Sequence, residues 1–294
     1  MRNAEYLELV RTPEDREHHY ARVVDSYYEQ VTDVCRDVWS DSFHLAWFTE
    51  GQQLHDAQHT MQRWLADQGR FGAGDRVLDV GCGIGGPAAT VAAHTGAEVT
   101  GVNICGHQVR VARSLHAGTE RLTFVEADAM NLPFAAGEFD GVLSIEALCY
   151  APDKRQVYAG IAKVLRSGGA FVGADWFCAD NLTEAEHARW VEPMCQGFAI
   201  PHVIPFGELK GYLEEAGFEV ESVSRYDDHG DIGPNWTPAA PSSDPAGDER
   251  PDLTADGFEN LLAQSLPALR DGCVAGKVIM GCWVARKRAD EGAA

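Results

Sequence analysis

A single carboxylate stands at the end of an apolar run near the middle of the chain. The stretch VLSIEALCYAP covers residues 142–152, and Glu146 is its only charged residue. A carboxylate buried at the end of an apolar strand costs free energy unless its charge is used. Such a group can accept a proton or stabilise a nearby positive charge. Glu146 is therefore a candidate catalytic residue, and the rival interpretation is a carboxylate that only binds the backbone around a ligand.

A glycine-rich turn lies upstream, in the stretch VLDVGCGIGG at residues 77–86. Its glycines let the chain bend sharply and approach a ligand, and the helix that follows presents free N–H groups. Such a turn alone is a weak signal of nucleotide binding. Three polar residues near it could bind parts of a ligand: Asp79 an ammonium group, Asn103 a ribose hydroxyl and Asp128 an adenine amino group.

These side chains need a parallel sheet to bring them together. From residue 71 to 175, short apolar runs alternate with helical segments, which is typical of parallel strands covered by helices on both faces. Ligands of such sheets bind at the carboxyl ends of the strands. Upstream, residues 20–39 carry apolar and aromatic side chains at a spacing of three to four, which predicts a helix.

Four segments are predicted along the chain. Residues 1–70 form a helical N-terminal cap, 71–175 the ligand-binding core, 176–217 a helical substrate cap and 218–294 the C-terminal strands that complete the sheet. Residues 227–257 are rich in Pro, Gly, Ser and Asp, and we expect a mobile surface loop there.

Composition limits the partners. The 294 residues carry a formal net charge of −21, which makes nucleic acid and anionic membranes poor partners. No apolar run could span a bilayer, and the charged N-terminal stretch lacks the apolar core of a signal peptide, so we expect a cytoplasmic protein. The eight cysteines form no CxxC pair, and we expect neither a disulfide nor a metal site.

The ordered motifs resemble those of the class I S-adenosylmethionine-dependent methyltransferases, and in particular of the C-methyltransferases that act on the side chains of sterols. The stretches that carry the resemblance are SFHLAWF at 42–48, GCGIGGPAATVAAHTGAEVTGVN at 81–103, SIEALCYAPD at 144–153 and GFAIPHVIPFGELKGYLEEAGFEV at 197–220. The resemblance implies an α/β, Rossmann-like fold whose seven-stranded sheet is mainly parallel, with an antiparallel last strand. The implied cofactor is S-adenosyl-L-methionine, and its product is S-adenosyl-L-homocysteine.

The resemblance also implies roles for single residues. Its cofactor positions correspond to Tyr28, Asp79, Gly81, Gly83, Asn103, Ile104, Gln108, Asp128, Ala129 and Glu146. The candidates for a substrate pocket are Phe43, Trp47, Tyr150, Trp176, Phe198, His202 and Phe206. The candidates for catalysis are Glu146, His44 and Tyr28.

The chain departs from the sterol enzymes because it lacks much of their long C-terminal sterol region. The implied reaction is C-methylation of an alkene carbon in an isoprenoid, terpenoid or prenylated natural product, through a carbocation that Glu146 stabilises or deprotonates. The alternative is O- or N-methylation of a small secondary metabolite, which needs a base such as His44, His202 or His107. A non-catalytic subunit that keeps the fold is a third interpretation.

The expected partner is a hydrophobic small molecule, and a homo-oligomer is left open. A diphosphate substrate would need Mg²⁺ or a cluster of basic side chains. The chain has no DDxxD motif, and Arg22, Arg36 and Arg225 are scattered. We therefore expect a neutral or weakly anionic prenylated substrate.

Overall fold

The computed structural model describes residues 3–236 and 257–289. Its strands are β1 (Arg76–Val80), β2 (Glu98–Asn103), β3 (Leu122–Glu126), β4 (Phe139–Ile145), β5 (Leu165–Cys178), β6 (Phe218–Arg225) and β7 (Val278–Lys287). They form a seven-stranded sheet in the order β3-β2-β1-β4-β5-β7-β6. β1 pairs in parallel with β2 and β4, whereas β7 is antiparallel to both β5 and β6. The predicted sheet with an antiparallel last strand is confirmed.

Helices cover both faces of this sheet. The described helices are α1 (Asn3–Leu9), α2 (Pro13–His18), α3 (Tyr20–Trp39), α4 (Leu54–Gly69), α5 (Gly86–Thr95), α6 (Gly106–Leu115), α7 (Lys154–Val164), α8 (Glu184–Glu186), α9 (Glu192–Gly197), α10 (Leu209–Glu215) and α11 (Gly257–Val274). One hydrophobic core contains Met61 and Leu65 of α4. A second core contains Tyr158 and Ile161 of α7, and the two cores include different residues of the strands. Among the residues that the structure describes, no helix is long and apolar enough to cross a membrane.

A buried arginine joins the N-terminal helices to the segment that follows β5. Arg16 is fully buried, and its Nε donates to the carbonyl of Ile200 at 2.7 Å. Its Nη2 lies 2.9 Å from both carboxylate oxygens of Glu192. A buried guanidinium requires such partners, and here they connect two segments that are far apart in the sequence.

The segments after β5 differ in part from the predicted ones. β5 extends to Cys178, so the first residues of the predicted cap at 176–217 belong to the sheet, and no helix covers residues 198–205. The predicted mobile loop at 227–257 begins with residues that pair with the N-terminal part of the chain. Phe48 and Asp231 exchange backbone hydrogen bonds of 2.8 and 2.9 Å. The rest of that loop, 237–256, lies outside the described residues.

Candidate active site

Glu146 directly follows β4, at the carboxyl edge of the sheet. Its φ of +48° lies in the left-handed region, which is uncommon for a residue with a side chain. The backbone N–H of Glu146 donates to the carbonyl of Ala174 at 2.7 Å, which holds this turn against β5. Strained backbone of this kind is found at functional sites, and here it carries the residue that the sequence singled out.

The carboxylate of Glu146 is held by two donors from distant parts of the chain. Both of its oxygens lie 3.2 Å from the backbone nitrogen of Leu45, and Oε1 accepts from the hydroxyl of Tyr226 at 3.1 Å. Burial raises the pKa of Glu146 to about 8, and these two donors oppose the rise. The nearby carboxyl of Asp175 raises the pKa further. A positive charge beside Glu146 would favour its ionised form.

Two cavities meet at Glu146. The first has about 870 Å³ of empty space, part of it open to solvent, and is lined by the ends of β1, β2 and β4 together with α3. The second has about 930 Å³ of empty space, also partly open to solvent, and is lined by residues of α3, β5 and α11. Four residues line both cavities: Tyr28, Phe43, Glu146 and Tyr150. The hydroxyls of Tyr28 and Tyr150 lie 2.9 Å apart. A group transferred from one cavity to the other would pass these side chains.

Two buried polar atoms have no hydrogen-bond partner among the described residues, one on Gln108 in the lining of the first cavity and one on Asp79, which directly precedes the lining residues Val80 and Gly81. Asp79 is 1 % exposed, its Oδ2 is unpartnered, and burial raises its pKa to about 7. Gln108 accepts from Asn103 at 2.7 Å, but its Nε2 has no partner. Because unsatisfied buried polar atoms are costly, these atoms indicate a polar ligand.

The glycine-rich turn forms one wall of the first cavity. Gly81 has a φ of +81°, and a Cβ added to it would lie 2.1 Å from the Cβ of Ala147. Gly83 has a φ of +54°, and an added Cβ would meet no atom within 4 Å. The first glycine thus permits close packing, and the second presents bare backbone to open space.

Asp128 lines the first cavity from the segment that follows β3. Its Oδ1 accepts from the backbone N–H of Met130 at 2.8 Å, and its Oδ2 accepts from the hydroxyl of Tyr20. The cavity is lined by these predicted cofactor residues: Tyr28, Gly81, Gly83, Asn103, Ile104, Gln108, Asp128, Ala129 and Glu146. Asp79 comes just before the lining residues Val80 and Gly81.

The second cavity is aromatic close to Glu146. Trp176 and Phe198 pack edge to face with ring centroids 4.9 Å apart. The indole Nε1 of Trp176 makes no hydrogen bond of normal geometry in the described part of the chain. Its N–H is nevertheless near the carboxylate of Glu146, and this donor lowers the pKa of Glu146. The lining includes the predicted substrate residues Phe43, Tyr150, Trp176 and Phe198.

Three predicted substrate residues line neither cavity. Trp47 is buried and packs against the ring of Tyr226 at 5.4 Å. The Nδ1 of His202 lies 2.9 Å from the carboxylate of Glu17. Phe206 is partly buried and packs against the second core of the sheet. Aromatic side chains near a site suit core packing as well as a cavity wall; Trp47 and Phe206 pack in the interior, and His202 pairs with Glu17.

No histidine considered as a base presents a free ring nitrogen to the cavities. The Nδ1 of His44 lies 2.7 Å from the carbonyl of Leu45, and its Nε2 lies 2.8 Å from Nε2 of Gln62. Burial lowers the pKa of His44 to about 4, so the ring is neutral. His107 and His202 line neither cavity. Among residues 3–236 and 257–289, no group of three or more His, Cys, Asp or Glu is arranged to hold a metal ion.

Sequence reasoning missed Tyr226 and much of the second cavity. The missed lining residues are Tyr27, Val31, Val34, Cys35, Trp39, Leu45, Ser265, Leu266 and Leu269. Tyr226 follows β6, which runs parallel to β5 because both are antiparallel to β7. A polar residue directly after such a strand lies at the ligand edge, and this signal could have found it.

Comparison with known proteins identifies the family. Residues 78–173 match the family described as a methyltransferase domain. The chain is 36 % identical over 205 residues to 24-methylenesterol C-methyltransferase 2 of Oryza sativa subsp. japonica, covering 67 % of this chain and 56 % of that protein. The chain belongs to the class I S-adenosylmethionine-dependent methyltransferases. The alignment spans only about half the length of such curated relatives.

Solved structures share the fold of this chain at low identity. Geranyl diphosphate C-methyltransferase from Streptomyces coelicolor A3(2) superposes with a TM-score of 0.68 at 16 % identity, covering 91 % of this chain and 97 % of that one. The [4+2]-cyclase SpnF superposes with a TM-score of 0.71 at 20 % identity, covering 92 % and 97 %. Because a cyclase shares the architecture, the fold alone does not assign the reaction.

The first cavity fits S-adenosylmethionine, the cofactor of this family. Asp79, directly before the lining residues, would hold an ammonium group with its unpartnered Oδ2, and Gln108 would donate from its unpartnered Nε2. Asn103 and Asp128 line the same cavity, where a ribose and an adenine need polar partners. Gly83 leaves space for the ligand against the backbone.

Proposed function

We propose that this chain transfers a methyl group from S-adenosylmethionine to an alkene carbon of an uncharged isoprenoid or prenylated molecule. One observation carries the proposal. Glu146 is the only charged side chain that lines the second cavity in the described residues, and it lies where that cavity meets the first. An apolar cavity with one carboxylate at its inner end suits an alkene that becomes a cation.

The aromatic side chains around Glu146 suit a cationic intermediate. When bound, the cofactor would supply an electrophilic methyl group. The alkene's π electrons would form the new carbon–carbon bond while the methyl–sulfur bond breaks with its electrons left on sulfur, and a positive charge would remain on the neighbouring carbon. Tyr28, Tyr150 and Trp176 line the cavity at this point. Aromatic faces stabilise a desolvated cation by about 2 kcal/mol. Their bulk also excludes water, which would otherwise capture the cation.

Glu146 then has two roles that one carboxylate can combine. As an anion it stabilises the cation by electrostatic attraction, which is strong in a dry site. As a base it accepts the proton from the carbon next to the cationic centre, and the electrons of that C–H bond form the new double bond. A positively charged cofactor in the first cavity would favour ionisation of Glu146, whose pKa burial raises to about 8.

The second cavity favours an uncharged substrate over a diphosphate. Its described lining offers no Lys, Arg or His, and Glu146 would repel an anion. The geranyl diphosphate C-methyltransferase relative was solved with Mg²⁺ and geranyl diphosphate. This chain therefore departs from that relative in the substrate that we propose. O- or N-methylation is disfavoured because both ring nitrogens of His44 are engaged.

The test is incubation with methyl-labelled S-adenosylmethionine and a panel of sterols, prenylated aromatics, prenyl alcohols and prenyl diphosphates, followed by NMR of the product. We expect a new methyl group on a former alkene carbon of an uncharged member. Glu146→Gln should lower turnover by about 10²-fold or more while cofactor binding is kept. A methyl group on oxygen or nitrogen refutes C-methylation, and turnover of the diphosphates alone refutes the uncharged substrate.

A further inference from the structure

The irregular segment between α3 and α4 supplies the backbone N–H that binds Glu146. Residues 41–45 form no helix or strand, so no ladder of hydrogen bonds holds them. The nitrogen of Leu45 nevertheless lies 3.2 Å from both oxygens of Glu146. Because hydrogen bonds weaken steeply when they are misaligned, some other contact must hold this peptide group.

Gln58 on α4 holds the other side of the same peptide group. Its Nε2 donates to the carbonyl of His44 at 2.6 Å and to the carbonyl of Ser42 at 2.7 Å. The carbonyl of His44 and the N–H of Leu45 belong to one planar unit. A donor on that carbonyl therefore sets the direction of the N–H, and hydrogen bonds in series strengthen one another.

The chemistry of its neighbours fixes the orientation of the Gln58 amide. The side chain is fully buried, and both groups that it faces are carbonyls, which can only accept. The NH₂ group must therefore face them. Its own Oε1 has no hydrogen-bond partner in the described part of the chain, which is unfavourable for a buried acceptor. The amide of Gln58 therefore acts only as a donor, to the carbonyls of Ser42 and His44.

Gln62, one helical turn further along α4, supports the same segment. Its Nε2 donates to the hydroxyl of Ser42 at 3.0 Å and lies 2.8 Å from Nε2 of His44. Because Nδ1 of His44 faces the carbonyl of Leu45 at 2.7 Å, that nitrogen carries the ring proton. The other ring nitrogen therefore accepts from Gln62. Two buried glutamines thus hold the loop from one face of α4.

We propose that Gln58 is a positioning residue for Glu146, supported by Gln62. The two amides hold the peptide between His44 and Leu45 so that its N–H binds both oxygens of the carboxylate. The importance of this contact for catalysis rests on the proposed function. Its test needs neither cofactor nor substrate, so the two proposals can fail separately.

The remaining groups that face Glu146 come from other elements, and we expect them to stay in place when Gln58 is changed. They are Tyr28 on α3, Cys149 after β4, Asp175 and Trp176 on β5, Tyr226 after β6 and Cys273 on α11. A change in the titration of Glu146 on substitution of Gln58 therefore reports on the contact with Leu45.

The experiment is an infrared pH titration of the full chain without ligands. The carbonyl stretch of the protonated acid reports the ionisation of Glu146, and Glu146→Gln identifies its band. Gln58→Met keeps the side-chain length and removes both donors. We expect the midpoint to rise by about one pH unit, the size expected when a hydrogen bond to a charged group is weakened. Met61→Ala is the control, since Met61 is equally buried on α4 and belongs to the apolar core.

An unchanged midpoint in folded Gln58→Met overturns the proposal. An equal shift in Met61→Ala also overturns it, because general loosening of α4 would then explain the effect. If Gln58→Met does not fold, Gln62→Met decides, since it removes only the supporting contacts. A smaller rise of the midpoint in that variant supports the proposal, and no rise refutes it.

Discussion

Replacing Glu146 with Gln should change how the stability of the chain depends on pH. Burial raises the pKa of Glu146 to about 8 in the folded chain, whereas a free glutamate has a pKa of about 4.3. Between these values the folded chain binds a proton that the unfolded chain has released. Stability from a raised pKa is fully present below the unfolded value and is lost as the pH rises through the folded value.

The size of the effect follows from the difference between the two pKa values. Each unit of difference corresponds to about 1.4 kcal/mol. From about pH 5 to about pH 8 the wild-type chain should therefore lose about 3 kcal/mol through this one group, and Glu146→Gln should not. Burial also raises the pKa values of Asp79 and Asp175. Both residues are present in the two chains, so their contributions largely cancel in the comparison.

The assay is urea unfolding of both chains at several pH values in this range. As the pH rises through this range, the free energy of unfolding of Glu146→Gln should increase relative to that of the wild type by about 3 kcal/mol. Glu120→Gln, at an exposed position, is the control for the loss of a charge at the surface and should follow the wild type. Parallel curves for wild type and Glu146→Gln would refute the reasoning that Glu146 is buried as the neutral acid.

Three further predictions concern the two cavities. Asp79→Asn should weaken binding of S-adenosylhomocysteine, measured by calorimetry, by about ten- to a hundredfold. The affinity of the wild type should fall below about pH 7, where Asp79 takes up a proton. A wild-type affinity that does not change with pH would contradict this role of Asp79. Tyr226→Phe removes a donor to Glu146 and so should raise the pKa of that carboxyl. Turnover should fall about tenfold at neutral pH and recover at higher pH, where Glu146 is again ionised. An equal loss of turnover at every pH would indicate a packing defect instead. Gly81→Ala should destabilise the chain by about 2 kcal/mol or more in thermal unfolding, because the new Cβ would lie 2.1 Å from the Cβ of Ala147. The loss should be larger than that of Gly118→Ala, where φ is also positive, at +85°, but an added Cβ would meet open space.

Local patterns in the sequence predicted the elements of the fold well. The helix expected over residues 20–39 is α3, because its apolar spacing suits one buried helix face. The position of Glu146 at the ligand edge was also predictable, since the carboxyl ends of parallel strands share one edge. Trp47 and Phe206 show the limit. An aromatic side chain fits a core and a cavity wall equally, and only the packing of distant elements decides between them.

The element types, the mainly parallel sheet and the presence of one carboxylate after β4 could all be read from the amino-acid sequence. What holds that carboxylate became visible only in three dimensions. Its donors, the N–H of Leu45 and the hydroxyl of Tyr226, lie 101 and 80 residues away along the chain. Every residue but proline has a backbone N–H, so no residue type marks the one that will bind Glu146. The raised pKa of Glu146 likewise arises only when α3, β5 and α11 enclose it, because desolvation is a property of the assembled surroundings.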